Sequence, residues 1–127
     1  MTMYIGELSK KTGVSVKAIR HYEDIALIKS PQRDGKYRVY DDSYIQVLGM
    51  IKAAKGLGFT LEELRTIAKA KTQEGLVPMD LLKAELQKKR ADILIKKAEL
   101  EKRLEEMDEL EISVQHYNQC LLENINQ

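Results

Sequence analysis

Cysteine is nearly absent from this 127-residue chain: Cys120 stands alone, so no internal disulfide can form. That suits a reducing compartment. Tryptophan is missing, phenylalanine occurs once and histidine twice. Nucleophile and general-base candidates are therefore few. There is also no Gly-rich phosphate loop, no HExxH and no persuasive Ser/His/Asp spacing, so an enzyme is not expected and no cofactor is implied. Long apolar runs are lacking as well. Nothing approaches the roughly 18–20 residues that a membrane-spanning helix needs, so a membrane is not an expected partner. The N-terminal MTMYIGELSK places Glu7 where a signal peptide would need an apolar core, so the expected location is the cytoplasm.

What the chain does have is charge: 32 % of its residues are Asp, Glu, Lys or Arg, beside 43 % hydrophobic residues. That mixture is too apolar for disorder and suits long exposed helices. The formal net charge of +1 conceals a division. Residues 1–77 hold 13 Lys/Arg against 9 Asp/Glu, a net of +4, and residues 78–127 hold 8 against 11, a net of −3. A basic front half joined to an acidic back half points to a polyanion as the partner of the front.

Local signals divide the front into two short helices, a hairpin and two further helices. Ile5 and Leu8 give a first helix its apolar stripe up to about Lys11. Gly13, in Thr12-Gly13-Val14, can take the positive φ of a tight corner. Ser15 is the expected N-cap of a second helix carrying Val16, Ile19 and Tyr22. Two helices across a short Gly-containing turn make a helix-turn-helix. After Ser30-Pro31, the Asp34-Gly35 pair predicts a hairpin turn, and the alternation in Tyr37-Arg38-Val39-Tyr40 a strand. A hairpin in that place is a wing. Asp41 or Asp42 can cap a third helix through Ile45, Leu48 and Ile51, which Gly56-Leu57-Gly58 ends. Thr60-Leu61-Glu62-Glu63 has the form of a capping box and opens a fourth helix to about Lys69.

From Pro78 onward neither Pro nor Gly recurs. Met79, Leu86, Ile93, Leu100, Met107, Val114 and Leu121 fall at strict seven-residue intervals, one edge of a coiled-coil seam. The companion position is Leu82, Lys89, Lys96, Arg103, Leu110 and Tyr117, apolar only at its ends. An antiparallel partner fits this better than a parallel one, because basic stems can lie along it while their heads reach its acidic residues. A helix from 78 to about 121 would be roughly 65 Å long. That is too long to bury its edge on the N-terminal domain and calls for a second chain. The expected dimer interface is Met79, Leu82, Leu86, Ile93, Leu100, Met107, Leu110 and Val114. The fold class is thus mostly α, an N-terminal winged helix-turn-helix domain (1–72) followed by a long C-terminal dimerisation helix (78–122) in an antiparallel coiled coil, with a tail at 123–127.

Three blocks, Thr12-Gly13-Val14-Ser15-Val16-Lys17-Ala18-Ile19-Arg20-His21-Tyr22-Glu23, Tyr37-Arg38-Val39-Tyr40 and Leu57-Gly58-Phe59-Thr60-Leu61-Glu62-Glu63-Leu64, resemble the MerR family of bacterial transcription regulators in order and spacing. The resemblance covers residues 3 to about 70. It implies a homodimer across a pseudo-palindromic promoter operator, bending and untwisting the spacer so that RNA polymerase engages both promoter elements. By the same resemblance Ser15, Lys17 and Arg20 reach the major groove and its flanking phosphates, and Tyr22 belongs to the family's Arg-x-Tyr pair. Arg38 and Tyr40 approach the backbone beside the minor groove, and Lys55 meets a phosphate. His21 and Arg33 complete the expected DNA-binding set. Two departures stand out: His21 replaces the usual Tyr or Phe, and Lys36 occupies a position where many members have Gly.

His116 and Cys120 are four residues apart and share a helix face, an alternative as part of a metal site. Metal-sensing relatives instead carry a cysteine pair after the dimer helix and another cysteine at its start, where Leu76-Val77-Pro78-Met79-Asp80 stands here. No metal site is therefore expected. An additional C-terminal domain like that of drug-binding relatives is not expected, and a small-molecule effector is left unidentified. Two other readings of the residues stay open, an architectural or recombination accessory protein and a coiled-coil adaptor.

Overall fold

The computed structural model describes residues 2–125. Its elements are β1 (Thr2–Tyr4), α1 (Ile5–Thr12), α2 (Val16–Asp24), β2 (Gln32–Asp34), β3 (Tyr37–Asp41), α3 (Asp42–Gly56), α4 (Leu61–Lys69) and α5 (Met79–Ile125). Two compact units are separable, one ending at Glu85 and the other beginning at Leu86. Of the expected tail at 123–127, residues 126 and 127 lie outside the described residues.

Local chemistry accounts for the helix boundaries in the first unit. Gly13 ends α1 at φ 72°, and its N–H bonds to Ser9 O at 2.9 Å. An L-residue there would be strained, and an added Cβ would also lie 2.6 Å from Lys52 Nζ. Ser15 caps α2 by accepting from Ala18 N–H at 3.0 Å. Asp41, not Asp42, caps α3 by accepting from Ser43 N–H at 2.9 Å. The Ser43 hydroxyl donates to the same carboxylate, and these two bonds hold Asp41 below the usual carboxylate range. Thr60 and Glu63 form the reciprocal capping box of α4, at 3.1 and 2.9 Å.

The wing is a three-stranded antiparallel sheet in the order β1-β3-β2. Strand β1 was not expected from sequence: three residues carry no readable alternation, and Met3 becomes strand only because Tyr40 of β3 pairs with it. The hairpin turn also sits one residue later than the Asp34-Gly35 signal suggests. Asp34 pairs with Tyr37, leaving Gly35-Lys36 as the loop. Only Gly35, at φ 63°, is left-handed there, which is the position where a type II′ turn demands glycine.

One core joins these elements. Leu8 of α1, Ile19 of α2, Tyr40 of β3 and Leu48 of α3 are completely buried, with Met3, Tyr22, Leu27, Ile28, Tyr44 and Ile51 around them. Tyr44 meets Tyr40 edge-on at 5.0 Å and donates its hydroxyl to Lys29 O at 2.9 Å. An open apolar groove of about 250 Å³ lies within this unit, lined by Val47, Met50, Leu64 and Ile67 together with Met79 and Leu82.

Helix α5 runs unbroken for 47 residues and buries none of them. Ile93, Leu100, Met107, Leu110, Val114 and Leu121 are all exposed. Among the described residues no helix is long and apolar enough to cross a membrane.

Candidate nucleic-acid interface

Helix α2 shows its two faces plainly. Ile19 and Tyr22 enter the core, while Lys17, Arg20 and His21 point to solvent, as a 3.6-residue period requires. Its first turn holds no carboxylate, so the positive end of the helix dipole is not neutralised. Ser15 uses one oxygen lone pair for the cap, and its hydroxyl hydrogen remains available to a ligand. Cations from α3 flank this face. Lys55 Nζ lies 5.9 Å from the centre of the Tyr22 ring, and Lys52 Nζ lies against the Gly13 turn. Lys52 was not singled out from sequence, since no local spacing ties it to a turn 39 positions earlier.

The wing carries Arg33 exposed on β2, its Nη1 donating to Lys36 O at 3.5 Å. Exposed Tyr37 stacks at a tilt on Tyr4, 5.7 Å between ring centres. Arg38 is half-buried and not free. Its Nε donates to Glu23 Oε1 at 3.1 Å and lies 3.0 Å from Oε2, which makes no hydrogen bond of its own. This carboxylate, by hydrogen bond and by charge, raises the Arg38 pKa above its already high ordinary value. The Glu23 side chain is only 11 % exposed, although it sits on a helix whose other face is basic. Sequence reasoning gave it no role, because the pairing spans 15 positions between two different elements.

Two expected contacts are corrected by burial. Tyr40 has no exposed surface, and its hydroxyl is buried without a hydrogen-bond partner. Burial first, and then the neighbouring Glu23 charge, push this phenol up to about 12. In this conformation it is a core residue that cannot touch a DNA backbone. Tyr22 is 5 % exposed and likewise packs in the core; its ring supports Lys55 rather than presenting a contact of its own. The structure thus brings Ser15, Lys17, Arg20 and His21 together on one exposed face, with Lys55 beside Tyr22 and Arg33 and Arg38 on the wing. The expected seam residues divide too, with Met79 and Leu82 lining the groove of the first unit, Leu86 half-buried, and Ile93, Leu100, Met107, Leu110 and Val114 exposed on α5.

Cys120 Sγ lies 3.7 Å from His116 Nε2 on the exposed surface of α5. Among the described residues no group of three or more His, Cys, Asp or Glu could hold a metal ion.

Comparison with known proteins bears on this arrangement directly. The chain is 37 % identical over 116 residues to the nodulation protein NolA of Bradyrhizobium elkanii, covering 87 % of this chain and 50 % of that one. It is 32 % identical over 115 residues to the HTH-type transcriptional regulator HmrR of Rhizobium leguminosarum bv. viciae, covering 90 % and 82 %. It spans a third to a half of the length of several curated relatives, NolA among them. The crystal structure of HiNmlR, a MerR family regulator lacking the sensor domain and bound to promoter DNA, aligns with a TM-score of 0.62 over 83 % of this chain and 80 % of that one. At 23 % identity that likeness bears on the fold alone. The model of the MerR HTH family of regulatory proteins matches residues 3–71, more than half of the chain, and the chain belongs to that family.

Proposed function

We propose that the chain is a homodimeric DNA-binding transcription regulator that binds a pseudo-palindromic promoter operator. The observation that carries this is the capped, acid-free start of α2, with Ser15, Lys17 and Arg20 exposed together beside a wing. Lys and Arg on such a face neutralise phosphates and release counterions. A helix of this kind enters the major groove, where base edges are distinguishable. Arg33, Arg38 and Lys55 then grip the flanking backbone, a role that fixes register rather than reading sequence. The binding domain is residues 1–72. Promoter DNA held by a protein of the same fold supports the reading.

Residues 78–122 form the dimerisation helix in this reading. Ile93, Leu100, Met107, Leu110 and Val114 all lie exposed on α5, and an antiparallel second copy buries them. Two recognition helices related by a dyad explain a pseudo-palindromic site. Bending and untwisting of the spacer would let RNA polymerase engage both promoter elements, and the protein works in the cytoplasm. Sedimentation of the purified protein tests the dimer, and footprinting on genomic fragments tests the site. Protection inside promoter spacers supports this function. A wild-type monomer at micromolar concentration, or a chain that protects no DNA, overturns it.

A further inference from the structure

We infer that Glu23 is a positioning residue of the DNA interface, tying the wing to the recognition helix through Arg38; the inference rests on the DNA-binding function proposed above. An acidic group so close to a basic face lowers affinity for any polyanion, so its presence needs a physical reason. Glu23 stands in the last turn of α2 with its side chain 11 % exposed, and its only ion pair among the described residues is with Arg38 of β3, at 3.0 Å. The bond uses Nε alone. The Nη groups of Arg38 make no hydrogen bond among the described residues, and this end of the guanidinium is left to meet a ligand.

The geometry therefore divides one side chain between two tasks. Its inner edge is fixed to the helix that reads bases, and its outer edge is offered from the wing that grips phosphate. Among the described residues no other polar contact ties these two elements: Arg33 bonds within its own hairpin, and the buried Tyr40 hydroxyl of β3 has no hydrogen-bond partner. A wing held in this way accepts only duplexes whose backbone runs at the correct distance from the groove that α2 occupies. Glu23 would give up non-specific affinity and add discrimination through DNA shape.

Charge and hydrogen bonding can be separated. Glu23→Gln removes the charge but keeps an amide oxygen to accept from Arg38 Nε, whereas Glu23→Ala removes both. An operator is first selected by the wild-type protein from a random-sequence duplex library. Affinities for it and for unrelated duplex are then measured at several salt concentrations, with melting temperatures recorded for each variant. Both variants should bind unrelated duplex about threefold or more tighter, with a salt slope steeper by about one, because a repelling charge is gone. Glu23→Ala should lose about tenfold in the ratio of operator to unrelated binding, and Glu23→Gln should keep most of that ratio. Arg38→Ala added to Glu23→Ala should cost no further discrimination, since the tie is already broken.

A folded Glu23→Ala protein with the wild-type ratio overturns the inference and leaves the proposed function standing. So does a ratio that falls equally in the Gln and Ala variants. If the wild-type chain selects no duplex, the proposed function fails and the inference falls with it.

Discussion

The two units of this chain treat their apolar residues in opposite ways. The unit ending at Glu85 buries Leu8, Ile19, Tyr40 and Leu48 completely. The unit beginning at Leu86 buries nothing, although Ile93, Leu100, Met107 and Val114 are no less hydrophobic. In the first unit the apolar stripes of four helices and a sheet converge, so each supplies the cover for another. In the second, a single helix has one stripe and nothing within its own unit to lay it on. Packing of an apolar face, more than propensity, is what sustains helices in proteins. The contrast teaches that one unit covers its own apolar residues, whereas the other leaves them exposed, as the proposed dimer seam requires.

The most severe way to sharpen that contrast is Leu100→Asp, which puts a carboxylate in the middle of the proposed seam. A buried unpaired charge costs roughly 3–5 kcal/mol, so sedimentation should show the dimer giving way to monomer. Unchanged association would place the interface elsewhere.

Truncations in the two units should then differ. Leu48→Ala, inside the closed core, should cost about 2–5 kcal/mol in denaturant unfolding. Ile112→Ala lies off the heptad seam on exposed α5 and should be within about 0.5 kcal/mol of neutral. Equal losses at both sites would break the comparison.

Alkaline pH probes a buried phenol of the closed unit. The buried Tyr40 phenol is raised to about 12 from an ordinary 10. Its contribution is therefore fully present below pH 10 and is lost as pH rises toward 12, while the unfolded chain ionises and the folded one does not. That loss is on the order of 2 kcal/mol. Tyr40→Phe should remove this pH dependence. At neutral pH it should be neutral or slightly stabilising, because the buried hydroxyl has no partner to lose. Thermal melts from pH 7 to 12 on both proteins measure the difference, and identical curves would contradict it.

On the exposed face of the first unit, Arg20→Ala should cost about 1–3 kcal/mol of operator binding and relax one base position, the signature of a groove contact. A uniform loss across all sequences would instead make Arg20 a phosphate contact. A modest gain is expected at Ala26, the one non-glycine residue at positive φ among those described, at 58°. Ala26→Gly should relieve that strain and raise stability by up to about 1 kcal/mol, offset in part by the freer unfolded chain. Melting that falls instead would mean the Ala26 methyl matters more than its backbone.

By itself the sequence determined whatever acts over a few residues. Ser15, Asp41 and the Thr60–Glu63 pair start their helices through side chains that reach backbone two or three positions away. Gly13 ends α1 because only glycine is left-handed without strain, and the seven-residue spacing from Met79 to Leu121 marks a long helix. Only the tertiary structure decided what depends on elements meeting. Strand β1 exists because β3 offers it an edge. Tyr22 and Tyr40 stand in motifs that resemble a DNA-contacting set, yet their rings are buried because helix and sheet close over them. The hairpin register, one residue from the turn signal, followed from the pairing of Asp34 with Tyr37 and the II′ geometry that Gly35 permits. The Glu23–Arg38 pair was invisible for the same reason. Fifteen residues of chain separate the two, no periodicity links a helix end to a strand, and only packing sets their 3.0 Å approach.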